Sequence, residues 1–417
     1  MKKTMAVLFG SRSVEHDVSI VSAVQWMATA DRSKYDIVPV YISHDGSWYT
    51  GAPLTELNAY KPFNPSTTGI KRVMPDLTAD ACTLVERSPE HIKIFTKLSQ
   101  SVVAKIDVAV PIFHGLNGED GTVQGVLELM NVPYTSSGLV GSAVGMDKIA
   151  MKQLFRGMDF PILDFYWTTR EAWTKRHGVI IGEIESQIPY PVFVKPANLG
   201  SSIGISKAKT RADLIEALEV AFSYDRRAVV EPAVENPVEI NCSALGFDED
   251  VRVSVCEMPV SWQEFLTFEE KYIPGAKSGA SDKFGSKTGG ALGEASSAKT
   301  PGGMANAKRR IPAPISDELT RRIQSLSLDI FRALDCKGVV RIDYIVDSNK
   351  DSLYVNEINT IPGSLAYYLW EASGLSYPQL IDHMVELAER AHARKNEAKF
   401  GFDSAILKSV SLGGAKR

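Results

Sequence analysis

The chain is predicted to fold as an α/β protein of two or three domains, on three observations. Short β-branched runs recur through the first third: MAVLF at 5–9, IVPVYIS at 37–43 and VAVPIF at 108–113. Between the first two lies VSIVSAVQWMATA, which places Val18, Val21, Ser22 and Gln25 at helical spacing, so strand, helix and strand follow in the order of a βαβ unit. The length, 417 residues, supplies ample core without a disulfide or metal staple.

The first domain is expected to end near residues 140–148, after the turn-rich NVPYTSSG. From about Met146 to Val238 come a strand-like PVFVK, a Gly/Ser stretch, the strand-like GISKA, a helix with Leu214, Leu218 and Phe222 on one side, and the strand RRAVVE ending at Glu231. The third segment begins near Glu239. It carries two clear helices, one marked by Leu319, Ile323, Leu326 and Ile330, the other by Leu380, Met384, Leu387 and Ala391. Between them sit the strands VVRIDYIVD and SLYVNEINT, joined by a short polar turn. Residues 275–310, rich in Gly, Ala, Ser and Lys and almost without large apolar side chains, bury little and are expected to form a mobile loop.

Composition removes several function classes. Lys and Arg number 46 against 50 Asp and Glu, a net charge of −4, which makes no electrostatic case for nucleic acid. Cys82, Cys242, Cys256 and Cys336 show no paired spacing, as expected in a reducing compartment. The apolar TMAVLFG after Lys2 and Lys3 is charged too soon by Arg12, Glu15, His16 and Asp17 to be a secretion signal, and no apolar run spans a bilayer. A cytoplasmic protein without membrane partners is expected.

The two C-terminal strands carry the most chemistry. Period-2 alternation puts Arg341 and Asp343 on one face, and likewise Glu357 and Asn359. A hairpin symmetric about Lys350 sets Asp343 opposite Glu357 and Arg341 opposite Asn359. Two carboxylates and an amide on one face repel unless a hard cation lies between them, and oxygen donors without His or Cys favour Mg²⁺ or Mn²⁺. The alternative is a solvated hairpin face with a surface ion pair. A second feature, KPANLGSSIG, combines Lys195, Gly200, Ser201, Ser202 and Gly204 between two strands. It is either a phosphate cradle or a plain glycine-rich hairpin, and it is not a Walker A loop. HGLNGEDG, from His114 to Gly121, follows a buried strand, where a ligand crevice or a turn with solvated acids is expected. In VEHDVS, Glu15 and His16 at a strand-to-helix junction either hold an ammonium group or cap the helix.

Taken in order, VEHDVSIVSA, HGLNGEDGTVQG, PYTSSG with SAVGMDK, VFVKPANLGSSIG, VVEPAVENPVEI, RIDY and NEINTIPG resemble the D-alanine–D-alanine ligase family of ATP-grasp enzymes over nearly the whole chain. The resemblance implies a Rossmann-like parallel-sheet domain in residues 1–145, then an ATP-grasp fold of two α+β subdomains, 146–238 and 239–417. It implies ATP with Lys148 and Lys195 on its phosphates, the Ser201–Ser202 loop over them, Glu231 and the backbone to Val234 on adenine, and Glu239 on ribose. Asp343, Glu357 and Asn359 hold two Mg²⁺ or Mn²⁺ ions on this reading. Glu15, assisted by His114, takes the first D-alanine's ammonium, and Arg341 with the Gly363 N–H stabilises an oxyanion. Glu15, Ser201 and Tyr272 form a hydrogen-bonded set, and Lys271 and Tyr272 belong to a lid. A homodimer is also implied.

The chain departs from the family pattern at several points. Pro232 stands where lysine is frequent, and Ser11 where glycine is common. Tyr368 occupies the position of a serine that helps bind the second substrate's carboxylate, and the lid, about 272–312, is much longer than expected. The extra stretch is either a neutral surface loop or a lid modifier or partner site. The function implied is synthesis of D-alanyl-D-alanine for peptidoglycan precursors through an acyl phosphate. The alternatives are the same fold with D-lactate, D-serine or a specialised amino acid as acceptor, and a nucleotide-binding regulatory protein without turnover.

Overall fold

The computed structural model describes residues 2–87, 101–260, 309–348, 350, 352–399 and 401. Lys271, Tyr272 and nearly all of the expected lid lie outside the described residues.

The N-terminal sheet has seven strands. In chain order they are β1 (Lys3–Gly10), β2 (Tyr35–Ile42), β3 (Trp48–Thr50), β4 (Lys71–Pro75), β5 (Thr83–Glu86), β6 (Val102–Lys105) and β7 (Val108–Ile112), arranged β6-β5-β4-β3-β2-β1-β7. Only β2, β1 and β7 are parallel; the others add antiparallel, so the Rossmann-like expectation describes the inner part of a mixed sheet. The antiparallel strands are short and largely half-exposed, with Lys71 and Arg72 on β4, which leaves no continuous apolar run to mark them. Met5 to Phe9 are at most 2% exposed, as a strand covered on both faces requires.

Helix α1 (His16–Thr29) crosses from β1 to β2. Its buried stripe centres on Ile20, Ala23, Trp26 and Met27; Val21 and Gln25, part of the helical spacing in the sequence, lie at its half-buried edge. Ser19 ties α1 to two strand ends, its Oγ accepting from Gly10 N at 2.8 Å and donating to Ile112 O at 2.6 Å. Gly10 turns at φ +96°, where a Cβ would lie 2.2 Å from Ile42 O, so no other residue fits there. Ser11 follows at φ +82° and is buried; its Oγ donates to Leu116 O at 3.1 Å, which offsets part of the ~1 kcal/mol that a left-handed non-glycine residue costs. The turn delivers Glu15 to the first turn of α1.

Helices α2 (Thr122–Met130), α3 (Leu139–Met146) and α4 (Lys148–Gly157) lead to a four-stranded antiparallel sheet. Its members are β8 (Tyr166–Thr169), β9 (Val192–Pro196), β10 (Ser206–Ala208) and β11 (Arg227–Pro232), in the order β10-β9-β11-β8. One face is covered by α5 (Arg170–Gln187) and α6 (Arg211–Tyr224), with Leu214, Leu218 and Phe222 of α6 inside. A third sheet follows, order β13-β12-β16-β17, from β12 (Pro237–Phe247), β13 (Asp250–Val253), β16 (Gly338–Asp347) and β17 (Ser352–Asn359). A two-stranded ribbon joins β14 (Met258–Pro259) to β15 (Arg309–Arg310). Helix α7 (Asp317–Ala333) packs Ile323 and Ile330 beneath the third sheet, with Leu319 and Leu326 at its edge.

After α8 (Tyr367–Ala372), the last helix, α9 (Tyr377–Asn396), returns to the beginning of the chain. Leu380, Ile381, Met384 and Leu387 share one core with β1, β2 and β7, and Lys34 Nζ and Tyr35 Oη donate to Asp382 at 2.6 and 2.7 Å. Each such leucine or isoleucine contributes about 1.5–3 kcal/mol by burial, so the N-terminal sheet is held from the far end of the sequence. All four cysteines are free. No helix among the described residues is long and apolar enough to cross a membrane.

Candidate active site

Two cavities meet where the three sheets converge. The larger, about 300 Å³, lies between the second and third sheets. The smaller, about 50 Å³ and strongly polar, lies between α1, the third sheet and the segment after β17. Lys148, Leu199, Gly200 and Glu357 line both and form the passage between them.

Of the side chains expected on ATP, Lys148, Lys195, Ser202, Glu231, Val234 and Glu239 line the larger cavity, with Phe193, Ile205, Met258 and Ile345 as apolar walls. Ser201 lines the smaller one. Lys148 opens α4 behind its N-cap Asp147, whose side chain accepts from Ile149 N and Ala150 N and is ion-paired with Arg227. That cap aims the Lys148 ammonium at Leu199 O, 2.6 Å away, with Glu357 at 3.7 Å. Lys195, on β9, donates to Glu231 Oε2 at 3.0 Å and to Asn356 Oδ1 at 3.3 Å. Burial alone would raise the Glu231 carboxyl, but Lys152 and Lys195 outweigh it and hold the group down at about 2. In the Gly200–Gly204 loop, Ser201 and Ser202 are left-handed at φ +52° and +60°, the kind of local strain found where a loop must face a ligand. The turn presents Ser201 Oγ to Glu15 Oε1, to which it donates.

The smaller cavity collects Glu15, His114, Ser201, Arg341, Glu357, Asn359 and Gly363. The expected hairpin pairing is present where it matters, with Arg341 opposite Asn359 and Asp343 opposite Glu357. The route to it differs. At the turn Asp347 pairs with Ser352, so the hairpin is not centred on Lys350, and a β-bulge at Asn356 restores the register beyond it. The bulge breaks the alternation of β17, so Asn356 and Glu357 both reach the larger cavity while Val355 and Ile358 stay buried.

The carboxylates carry protein cations. Arg341 holds Asp343 through Nε and Nη2 at 2.6 and 2.7 Å, and Asn359 Nδ2 donates to Asp343 at 3.0 Å. Repulsion between carboxylates is therefore not by itself an argument for a metal. The donor chemistry is: Asp343, Glu357 and Asn359 offer only oxygen ligands, a set that fits Mg²⁺ or Mn²⁺. Arg341 Nη1 is buried and has no hydrogen-bond partner among the described residues, which leaves one strong donor at the cavity that Arg341 lines with Gly363.

His114 is neutral at pH 7, since burial and then Arg341 lower its pKa to about 4, and its Nε2 pairs with Ser22 Oγ at 3.0 Å. Tyr368 lies on α8 and does not line either cavity. Its hydroxyl donates to Glu257 Oε1 at 3.1 Å, and the Arg309 guanidinium, itself bonded to Glu257 Oε2 at 3.0 Å, lies 3.6 Å from the ring centroid. Burial and Glu257 push the Tyr368 hydroxyl up to about 12. Tyr368 is thus anchored in a Glu257–Arg309 cluster that no motif announced.

Besides Asn356 at the bulge, four further residues escaped the sequence reading. Glu257 and Arg309 lie in stretches without a recognisable pattern. Lys152 repeats Lys148 one helical turn on, a signal that spacing offered. Glu119 sits in the glycine-dense HGLNGEDG, between Gly115 N at 2.7 Å and Ile361 N at 3.3 Å. Burial, with Glu15 next to it, raises the Glu119 carboxyl from 4.5 to about 8. The folded state therefore keeps a proton that the unfolded chain releases, so stability conferred below pH 4.5 is lost as pH rises towards 8. Glu119→Gln, with no proton to lose, should gain on the parent across that window by on the order of 3–4 kcal/mol in protein stripped of divalent cations. Thermal melts from pH 4.5 to 8.5 check this, and a pH-independent difference overturns it.

Comparisons with known proteins fall on this same architecture. A family model described as "D-ala D-ala ligase N-terminus" matches residues 4–137, and one described as "D-ala D-ala ligase C-terminus" matches 154–283 and 297–386. The D-alanine–D-alanine ligase of Thermosipho africanus is 35% identical over 96% of this chain and 97% of its own length, and that of Caldicellulosiruptor bescii 37% over 96% and 98%. Among solved structures, the VanG D-Ala:D-Ser ligase from Enterococcus faecalis superposes with a TM-score of 0.74 at 27% identity, covering 93% of this chain and 100% of its own. The D-alanine–D-alanine ligase from Coxiella burnetii gives 0.71 at 28%, covering 95% and 96%.

Proposed function

Because the chain belongs to the D-alanine–D-alanine ligase family, we propose that it joins two D-alanines at the expense of ATP to give D-alanyl-D-alanine, ADP and phosphate for peptidoglycan precursors. The observation that carries this reading is the pair of joined cavities: a nucleotide-sized one opens, between Lys148 and Glu357, onto a small polar one that holds Glu15 and Arg341.

The adenine lies against Glu231 and the backbone to Val234, where Pro232 still offers its carbonyl. Glu239 takes the ribose hydroxyls. Lys148, Lys195 and the Ser201–Ser202 loop hold the phosphates at the passage. Asp343, Glu357 and Asn359 are the residues that would hold Mg²⁺ or Mn²⁺, which when bound neutralises charge on the transferring phosphoryl group. Glu15 receives the first D-alanine's ammonium, and neutral His114 beside it adds no competing charge. A carboxylate oxygen of that D-alanine attacks the γ-phosphorus, the bond to the β-phosphate oxygen breaks, and ADP leaves an acyl phosphate. The amine nitrogen of the second D-alanine then attacks the acyl carbon. Arg341 Nη1 and the Gly363 N–H receive the negative charge that gathers on the carbonyl oxygen, and the C–O bond to phosphate breaks. The amine's proton leaves through the pair of Glu15 and Ser201. Lys271 and Tyr272, the expected lid residues, lie outside the described residues. A homodimer resident in the cytoplasm, organised as domains 1–145, 146–238 and 239–417, completes this reading.

Tyr368, committed to Glu257, offers the acceptor's carboxylate no small hydroxyl, so acceptor identity is the sharpest test. Phosphate release should be fastest with D-alanine as second substrate, compared with D-serine and D-lactate, and EDTA should abolish turnover until Mg²⁺ or Mn²⁺ is returned. Turnover with D-lactate and none with D-alanine would move the enzyme to the other acceptor class. Failure to form ADP with any D-amino acid would refute a ligase outright.

A further inference from the structure

One buried charge is not used by the chemistry above. Lys152, 1% exposed, sits one turn after Lys148 on α4, and among the described residues its ammonium reaches only Glu231 Oε1, at 3.3 Å and without hydrogen-bond alignment. Phe165 lies beneath it, 5.7 Å from the ammonium to the ring centroid. Placing a lysine here costs several kcal/mol of desolvation, and a methionine would fill the same space without that cost. Glu231 is held from both sides: Lys195 takes Oε2, and Oε1 faces Lys152 with no aligned hydrogen-bond donor on it among the described residues.

The two lysines are not equivalent. Lys195 is also bonded to Asn356 at the cavity wall, and nucleotide phosphates would draw it away from Glu231. Lys152 is enclosed and stays. We propose that Lys152 is a positioning residue for nucleotide choice: it is the standing counter-ion at Oε1 that keeps Glu231 an ionised acceptor, with Oε2 released, after Lys195 turns to the phosphates. The site thereby prefers a purine that donates from an exocyclic 6-amino group. A buried carboxylate without a counter-ion takes up a proton and becomes a donor, which suits a 6-oxo purine instead. Burial lowers the Lys152 pKa, with Glu231 opposing it, while Lys152 and Lys195 together hold the Glu231 carboxyl at about 2 against the opposing effect of its own burial.

This inference rests on the assignment of Glu231 to the adenine, and the experiment separates the two. The full-length enzyme, Lys152→Met, Lys152→Gln and Lys152→Arg are compared for kcat/KM with ATP, GTP and purine riboside triphosphate, which lacks the 6-amino group. The parent should prefer ATP over purine riboside triphosphate by about tenfold or more. Lys152→Met and Lys152→Gln should erase most of that preference, mainly through KM for ATP, and narrow the gap to GTP; Lys152→Arg should retain it. If both neutral variants lose activity equally with all three nucleotides, Lys152 is a packing residue and the proposal fails. It fails also if neither variant changes the ratio. A parent that does not distinguish ATP from purine riboside triphosphate removes Glu231 from the adenine and the proposal with it. If Lys152→Met does not fold, the polar, uncharged Lys152→Gln gives the same ratio test.

Discussion

Replacing Arg341 with methionine is expected to lower kcat by about 10²–10³-fold, the usual effect of losing a donor aimed at a developing oxyanion. The loss should fall on kcat, with KM for ATP little changed, because Arg341 lines the small cavity and not the nucleotide one. The same change strips Asp343, 3% exposed, of its bidentate partner. Breaking a buried pair from one side costs roughly 3–5 kcal/mol, so the melting temperature should also drop. Arg341→Lys keeps the charge but not the planar fork, and should recover only part of the rate. Steady-state kinetics with D-alanine and thermal melts measure both effects. A kcat within fivefold of the parent would remove Arg341 from the reacting centre.

Asp343→Asn is the second large effect. The substitution keeps the shape and the bond from Asn359 but removes the carboxylate on which both Arg341 and the proposed cation depend. Activity should fall by about 10³-fold, with the Mg²⁺ concentration for half-maximal rate raised at least about tenfold. Stability without divalent cations should fall by roughly 3–5 kcal/mol, since the buried Arg341 then lacks a counter-charge. Rates and melts titrated with Mg²⁺ distinguish the two contributions. An unchanged Mg²⁺ dependence would mean that the cation, if needed, is held elsewhere.

Much of this site was legible along the chain because its carriers are local. Lys195 to Gly204, Asp343 and Arg341, or Glu357 and Asn359 each lie within one strand or loop, where alternation and glycine spacing report orientation directly. The pairing of Asp343 with Glu357 was reached from a hairpin centred on Lys350, whereas the chain achieves it with a different centre and a bulge at Asn356. A bulge adds one residue to one strand only, and nothing in the alternation of SLYVNEINT marks where it falls. Asn356 was missed for that reason. Glu257 and Arg309 were missed because their meeting at Tyr368 depends on a two-stranded ribbon that joins segments about fifty residues apart.

The chemistry proposed for this protein, an oxygen-donor set, a phosphate-binding loop and a nucleophile-binding acid at a strand-to-helix turn, is written in short segments, since residue type and period decide it. The charge state of those groups is not. Glu119 near 8, Glu231 near 2 and His114 near 4 follow from how deeply each is buried and which cations stand beside it. Lys152 and Glu15 reach their partners, Glu231 and Ser201, from other elements of the chain. Burial and long-range neighbours exist only once the three sheets close on one another and α9 returns to the first sheet, so the fold decides which acids are ionised and which tyrosine is anchored.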